Sequence, residues 1–346
     1  MSRMLDEIRQ QPESLARTLA SELRRAAKFK ALIDRRKPRL AVLVARGTSD
    51  NAAQFGRYLI EITTGIPVSL AAPSVFTLYG ARMNYKDALV VAVSQSGESE
   101  DTNQVLEQAG KAGAVTVGIT NESRSTLAGI AQHVFLVRAG REKSVAATKT
   151  YTGQMMAFYL VAWALGAKLR TSELEAVPDY AAAALALENE VAAMAERYRF
   201  MHHAVAVGRG LNYANAFEFA LKMKETSYVV AEGFSSADFL HGPIAMVDPS
   251  FPAFLFTPSG PTWPSMQEML IRLQGLRAET VVIADRRNLT AANYASRVIS
   301  IPARIPETFS PIPYIIPAQL FSAALAAEKG LDPDRPRALG KITRNL

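Results

Sequence analysis

Two hydroxyl-rich turns are the parts of this 346-residue chain best suited to chemistry. The first is GTS at residues 47–49, and the second is SQSGES at residues 94–99; both follow short apolar runs. Hydroxyls and unpaired backbone N–H groups at the start of a helix bind anions, because the helix dipole adds to the donors. One such turn is more often only a helix cap, but two turns after neighbouring strands favour a phosphate site. No GxxxxGK[ST] motif occurs in the chain, so ATP is not implied.

A second group of candidate residues lies in the segment 213–228. Glu218, Lys222 and Glu225 are spaced i, i+4 and i+7, which places them on one face of a mostly apolar helix. Carboxylates on such a helix are costly unless they are paired or used, so the alternatives are acid/base chemistry and a structural Glu218–Lys222 ion pair. His241 precedes Gly-Pro and, taken alone, is more often structural, although histidine exchanges protons near neutral pH. Lys341 is by default a surface charge.

Composition excludes several kinds of site. The chain has no cysteine, which excludes disulfides, thiolate metal sites and a cysteine nucleophile, and its four histidines show no HExxH spacing, so we expect no metal. The net charge of +7 is spread along the chain and favours a small anionic ligand at least as much as nucleic acid. The N-terminus has no signal-like apolar core, and the apolar run at 154–166 is too short to span a bilayer. We therefore expect a cytoplasmic protein without nucleic-acid or membrane partners.

An internal repeat organises the chain. The Arg-Gly pair at 46–47 recurs at 209–210, and the glycine at 97 recurs at 260, both 163 residues later. The apolar runs at 40–44, 89–93 and 115–119 are typical of parallel strands that are covered on both faces, and helical patterns follow them. The predicted fold class is α/β, with two tandem doubly wound parallel-sheet domains of flavodoxin-like type and helices on both faces.

The repeat also predicts the domain boundaries. We expect a helical segment at 1–35, a first domain at 36–170, a helical connector at 171–200, a second domain at 201–331 and a tail at 332–346. In the second half the equivalent turns have lost their hydroxyls, since Leu211 and Asn212 replace Thr48 and Ser49. We therefore expect the first half to bind the phosphate.

These motifs together resemble one family, the tandem sugar isomerase (SIS) domain proteins. The similarity covers about residues 20–346 and is carried by GTS at 47–49, SQSGESEDT at 94–102, SVAATK at 144–149, ALKMKETSY at 220–228, AEGFSSADFLHGP at 231–243 and DRPRALGK at 334–341. It is greatest for the isomerase half of the glutamine–fructose-6-phosphate aminotransferases, and the stretch around residue 46 also looks like stand-alone glucosamine-6-phosphate deaminases of SIS type. One departure is Ala147, where the synthases have a serine that contacts the sugar.

The resemblance implies a role for each matching residue. The implied phosphate ligands are Ser49, Ser94, Gln95, Ser96 and Ser99, and the implied sugar contacts are Thr48 and Val145. Glu225 is the implied acid/base between carbons 1 and 2, and His241 would assist ring opening. Lys222 and Glu218 would support the site, and Lys341 would close it from the tail.

The implied activity is conversion of glucosamine 6-phosphate to fructose 6-phosphate and ammonia, without a cofactor. With about 35 residues before the first repeat and no cysteine, we expect no glutamine-dependent synthesis. The alternatives are a fructosamine-6-phosphate deglycase, a simple aldose–ketose isomerase and, less favoured, a non-catalytic sugar-phosphate sensor.

The expected assembly is a homodimer with shared active sites. The resemblance implies that His241 serves the neighbouring subunit, but the sixteen residues between Glu225 and His241 would also let the two side chains meet within one subunit. Apolar residues near both Glu225 and His241, including Val229, Val230 and Phe239, favour a covered surface.

Overall fold

The structure, a computed structural model, describes residues 2–340. The chain divides into two compact units. The first-sheet unit contains Glu13–Glu142 and Lys149–Ala176, and the second-sheet unit contains residues 2–12, Lys143–Thr148 and Val177–Leu339. The short segment Lys143–Thr148 thus lies with the second half of the chain.

Two sets of five strands alternate with helices along the chain. The strands are β1 (Leu40–Val44), β2 (Val68–Leu70), β3 (Ala88–Val93), β4 (Val115–Thr120), β5 (His133–Leu136), β6 (His203–Gly208), β7 (Val230–Ser235), β8 (Pro252–Phe256), β9 (Glu279–Asp285) and β10 (Arg297–Ile301). The α-helices are α1 (Arg3–Arg9), α2 (Gln11–Arg36), α3 (Thr48–Thr64), α4 (Ser74–Thr77), α5 (Glu100–Lys111), α6 (Thr126–Ile130), α7 (Lys149–Ala164), α8 (Thr171–Glu175), α9 (Val177–Leu185), α10 (Glu188–Glu196), α11 (Tyr213–Ser227), α12 (Ser236–Leu240), α13 (Trp263–Gly275) and α14 (Pro311–Glu328). Short 3-10 helices cover Gly210–Asn212, Pro243–Met246, Leu289–Asn293 and Glu307–Phe309.

Both sheets are parallel and have the same strand order. The first runs β2-β1-β3-β4-β5, and the second, read in the equivalent direction, runs β7-β6-β8-β9-β10. In such a sheet the order of the strands reverses between the first strand and the third, because later strands are added on opposite sides, and this leaves a crevice outside their carboxyl ends. The crevices therefore lie after β1 and β3 in one sheet and after β6 and β8 in the other. The predicted α/β class with two tandem doubly wound sheets is confirmed.

The strands form because their residues are apolar on both faces. All six residues of β3 and all six of β4 are buried, as expected where helices cover both sides of a parallel sheet. One apolar core lies between β1, β3, α5 and α6 of the first-sheet unit, and a second lies between β6, β8, β9 and α13. The first core supports β1 and β3, the strands that the two turns follow, and the second supports the equivalent strands β6 and β8.

The helices outside the strand–helix repeats differ in detail from the sequence prediction. The predicted leading helix is two helices, α1 and α2, and the predicted connector at 171–200 contains α8, α9 and α10. The apolar run at 154–166 lies in α7, which is buried along almost its whole length and packs on α3. Within residues 2–340 no helix is both long enough and apolar enough to cross a membrane.

Candidate active site

The two hydroxyl-rich turns lie at the carboxyl ends of β1 and β3, on the two sides of the first-sheet crevice. The turn after β3 requires glycine at Gly97, whose φ is +69° and where a Cβ would lie 2.1 Å from the Ser125 hydroxyl oxygen. The Gly97 carbonyl accepts a hydrogen bond from Asn103 Nδ2 at 3.0 Å, so α5 holds the turn from behind. The sequence prediction that these turns share one edge of one sheet is therefore correct.

Serine hydroxyls shape the turn after β3 by capping its backbone. Ser94 Oγ accepts from the Gly97 N–H at 3.1 Å, and Ser96 Oγ accepts from the Glu98 N–H at 3.2 Å. Each hydroxyl keeps its own proton for another acceptor. The backbone N–H groups of Gln95, Ser96 and Ser99 have no acceptor within residues 2–340. The turn thus presents neutral donors to one place, which is the arrangement that binds a phosphate.

Ser99 is turned toward the protein rather than away from it. Its hydroxyl donates to Asp101 Oδ1 at 3.0 Å and lies 3.0 Å from Thr102 Oγ1. Of the four serine and glutamine positions predicted in this turn, Ser99 is therefore the one whose hydroxyl proton is already donated within the protein.

The turn after β1 carries Thr48 and Ser49 at the start of α3. Gly47 is its N-cap, with a φ of 55°, and supplies no side chain to the helix terminus. Ser49 is buried, and its Oγ accepts a hydrogen bond from Nε2 of Gln154 on α7 at 2.9 Å. Sequence reasoning did not find Gln154, because it lies 105 residues from Ser49 and opens a run of apolar residues in α7.

An ion pair joins the two turns. Arg46, directly before the first turn, contacts Asp101 on the first turn of α5. Sequence reasoning missed this pair as well, although Arg46 belongs to the repeated Arg-Gly pair, which could have been the signal.

The charged residues of α11 form a cluster around one buried ammonium group. Lys222 Nζ lies 3.4 Å from Glu218 Oε1 and donates to Glu225 Oε2. The side chains of Lys222 and Glu218 are fully buried, whereas that of Glu225 is 20% exposed. Removing one partner from a buried pair costs about 3–5 kcal/mol, so this cluster is strongly coupled. The spacing predicted one helical face, and the structure confirms that the three side chains meet there.

Helix α11 reaches this position because it packs unusually close to β7. A Cβ at Gly233 on β7 would lie 2.9 Å from backbone atoms of Ala216, so only glycine permits the approach. The helix ends at Ser227, and its C-cap Tyr228 has a left-handed φ of 53°. Arg337 donates its backbone N–H to the Tyr228 hydroxyl at 2.9 Å and places its guanidinium 4.4 Å from the ring centre. The tail therefore passes the end of α11 three residues beyond Glu225.

Among the residues that the structure describes, neither His241 nor Val145 forms a hydrogen bond or ion pair with that cluster. His241 follows α12 and is exposed, and its imidazole forms no hydrogen bond or ion pair with residues 2–340. Val145 is half-buried in the segment Lys143–Thr148, whose backbone is held by Glu7 through bonds from the N–H groups of Lys143 (2.5 Å) and Ser144 (3.1 Å). Lys341 lies outside the described residues. No group of three His, Asp or Glu side chains in the described part of the chain could hold a metal ion.

In the second sheet a carboxylate occupies the equivalent crevice. Glu307 accepts from Thr262 Oγ1 at 2.8 Å and from the Thr262 N–H at 3.3 Å. Its Oε2 lies 2.2 Å from the position of a Cβ on Gly260, the counterpart of Gly97. Burial raises the pKa of the Glu307 carboxyl, and its bonds with Thr262 only partly oppose this. The second half thus differs from the first in its occupant. The expectation that its turns lack hydroxyls holds for Leu211 and Asn212 but is wrong for the turn after β8, which keeps Thr257, Ser259 and Thr262.

Comparison with known proteins gives the family. The SIS domain family matches residues 36–164 and 199–329. A glutamine–fructose-6-phosphate aminotransferase (isomerizing) from Mycolicibacterium smegmatis is 36% identical over a region that covers 98% of this chain and 56% of that protein. The chain spans about half the length of the curated relatives it matches.

Two solved structures are similar over nearly the whole chain. The C-terminal domain of glucosamine-fructose-6-phosphate aminotransferase from Francisella tularensis has a TM-score of 0.89 and 30% identity, covering 97% of this chain and 98% of that one. A candidate phosphosugar isomerase from Silicibacter pomeroyi has a TM-score of 0.86 and 33% identity, covering 96% and 100%. With two matched domains, two parallel sheets and this similarity, the chain belongs to the SIS domain family, as a tandem SIS protein homologous to the C-terminal half of the glutamine–fructose-6-phosphate aminotransferases.

Proposed function

We propose that the chain is a phosphosugar isomerase that removes the amino group of its substrate, converting glucosamine 6-phosphate and water to fructose 6-phosphate and ammonia. The observation that carries the proposal is the cluster on α11. A structural ion pair would need Glu218 and Lys222 alone, both of which are fully buried. Of the three side chains only that of Glu225 is partly exposed to solvent, and Lys222 holds its carboxylate in place. An anchored, accessible carboxylate is what a proton transfer between adjacent carbons requires.

The chemistry follows from one proton movement. With the sugar ring open, Glu225 takes the proton from carbon 2 and the carbon-1 oxygen gains a proton from water, which gives an enolamine across carbons 1 and 2. The same carboxyl returns its proton to carbon 1 and the nitrogen releases a proton to water, which leaves a hydroxyl on carbon 1 and an imine at carbon 2. Water adds to that imine, and ammonia leaves as the ketone of fructose 6-phosphate forms. The acid/base step is worth typically about 10²–10⁴ in rate.

The other site residues serve binding and ring opening in this proposal. Ser49 and the turn of Ser94, Gln95, Ser96 and Ser99 hold the phosphate through neutral donors. His241 assists ring opening, for which its exposed and unengaged side chain is suited. Thr48 and Val145 contact the sugar, and Lys341 closes the site from the tail.

The comparisons support the isomerase part of the proposal more directly than the deamination. The similar proteins are named as fructose-6-phosphate aminotransferases and a phosphosugar isomerase. Each name refers to a sugar phosphate, which agrees with the expected phosphate site at the two turns of this chain.

We also propose that the active unit is a homodimer with shared sites. The exposed His241 supports this, and Val230, which is 66% exposed on β7, gives an apolar surface beside α11. The sequence argument for such a surface was partly wrong, because Val229 and Phe239 are buried within the subunit.

One assay tests the reaction. Purified protein is incubated separately with glucosamine 6-phosphate, galactosamine 6-phosphate and fructoselysine 6-phosphate, and ammonia and ketose phosphate are both measured. We expect equal amounts of ammonia and fructose 6-phosphate from the first substrate. Ketose phosphate without ammonia would indicate simple isomerisation, and turnover of fructoselysine 6-phosphate alone would indicate a deglycase. Binding without turnover of any of the three would contradict an enzymatic role and favour a sensor.

A further inference from the structure

Gln154 is a polar side chain in a place where an apolar one would pack better. It lies on α7, is 1% exposed, and is followed by the fully buried Met155 and Met156. Its amide nitrogen donates to Ser49 Oγ at 2.9 Å, but its Oε1 is buried without a hydrogen-bond partner within residues 2–340. An unpaired buried carbonyl oxygen destabilises a fold, so the residue carries a cost that its single bond only partly offsets.

The direction of that bond determines what Ser49 can do. A serine hydroxyl has one proton to donate and two lone pairs to accept with. Gln154 fills one lone pair with an N–H, and the hydroxyl proton of Ser49 has no acceptor among the described residues. Because an amide nitrogen cannot accept, the proton of Ser49 has to point elsewhere. Ser49 lies at the first-sheet crevice, where an anion bound by the two turns would accept this proton.

We infer that Gln154 is a positioning residue, which holds the Ser49 hydroxyl as a hydrogen-bond donor to a phosphate oxygen of the substrate. This inference rests on the proposed function for the identity of the ligand. Gln154 acts through Ser49 and does not touch the sugar phosphate. A residue that lowers stability at a binding site in order to orient another one is the pattern expected of functional positions.

Two substitutions at position 154 distinguish a role in orienting the Ser49 hydroxyl from a role in packing. Gln154→Met keeps the size of the side chain and removes the amide, so Ser49 is free to rotate. Gln154→Glu replaces the donor with an acceptor, which draws the Ser49 proton away from the phosphate and adds a negative charge behind it. We expect KM for the sugar phosphate to rise by about threefold to tenfold with Met, because Ser49 can still rotate into the bonding position. With Glu we expect a rise of more than about tenfold, which corresponds to full loss of one hydrogen bond to a charged group. The kcat should change little, since phosphate contacts are made in ground and transition states alike.

A matched control is Ser14→Ala on α2. Ser14 is also buried with an unpaired side-chain oxygen, but it forms no hydrogen bond with either turn. We expect this variant to keep the wild-type KM, and the thermal midpoint of every variant is measured to show that each one folds.

The decisive experiment is a double-mutant cycle with Ser49→Ala, read by calorimetric binding of inorganic phosphate and of fructose 6-phosphate. If Gln154 acts only through Ser49, Gln154→Met should weaken binding in the wild type and have no further effect in the Ser49→Ala protein. An equal effect in both backgrounds, or no effect in either, overturns the inference. The proposed function fails in a different way, through a wild type that binds these anions but turns over no amino sugar phosphate.

Discussion

Arg46 binds a single carboxylate oxygen of Asp101 with both Nε, at 2.7 Å, and Nη2, at 2.6 Å. The other oxygen of Asp101 accepts from the Thr102 N–H at 2.8 Å and from the Ser99 hydroxyl. One ion pair therefore joins the turn after β1 to the turn after β3 across the crevice. It also neutralises a carboxylate that would otherwise repel an arriving phosphate.

We expect Arg46→Ala to raise KM for the sugar phosphate by roughly three- to tenfold, since a partly exposed ion pair contributes at most about 1 kcal/mol and its loss adds repulsion. The kcat should stay near the wild-type value. Arg57→Ala is the matched control, because Arg57 forms an ion pair with Glu61 on the exposed side of the same helix α3. If both variants have the same KM, the Arg46–Asp101 pair does not organise the site.

The double substitution Ser94→Ala with Ser96→Ala should raise KM with little change in kcat. Each serine caps a backbone N–H of the turn and offers its own proton outward, and a hydrogen bond to a charged group is worth roughly 1.5–3 kcal/mol. Ser259→Ala provides the control, since Ser259 has the place of Ser96 in the second half. Unchanged affinity of the double variant for fructose 6-phosphate would remove the first-sheet turns from the site.

Glu225→Gln should lower kcat by about 10²–10⁴ while binding is retained, because the amide keeps the shape of the side chain but cannot carry the proton. The direct measurement is exchange of the carbon-2 proton of the substrate with deuterated solvent. Glu232→Gln, an exposed glutamate on β7, serves as the control and should exchange at the wild-type rate. Wild-type exchange in the Glu225 variant would mean that another group moves the proton.

Shared sites in a dimer predict complementation between inactive variants. Mixing Glu225→Gln with His241→Ala should restore up to roughly a quarter of wild-type activity, because half of the dimers are then mixed and each contains one intact site of two. Subunit exchange is shown independently with two differently tagged chains. No recovery in spite of exchange would place both residues in one chain.

The sequence predicted the parts of this structure that depend on neighbours along the chain. Buried strands such as β3 are recognisable from their own residues, and the side chains of Lys222 and Glu225 meet because i and i+3 share a helical face. Arg46 and Asp101 are 55 residues apart, and Ser49 and Gln154 are 105 apart. Such pairs depend on how strands and helices pack in space, which no local pattern specifies.

The pH dependence of stability should report on Glu307. Burial raises the pKa of this carboxyl, so the folded protein binds its proton more tightly than the unfolded chain does. Its contribution to the free energy of unfolding is therefore fully present below the unfolded pKa of about 4.3 and is lost as pH rises through the folded value. Urea midpoints of the wild type and Glu307→Gln, measured from pH 4 to pH 8, should diverge in favour of the glutamine variant as pH rises. A constant difference would show that Glu307 is not the titrating group.

The Glu307 carboxylate also makes the two halves respond differently to the solution around them. Glu307 is part of the same chain as Thr262, so this carboxylate is always close to the second-sheet crevice. That crevice is therefore filled without any free anion in solution. The crevice between Ser49 and Ser94, in contrast, can be filled only by mass action, at a ligand concentration near its dissociation constant. Amide hydrogen exchange should therefore slow at residues 94–99 as fructose 6-phosphate is added, while the rates around residue 260 stay constant.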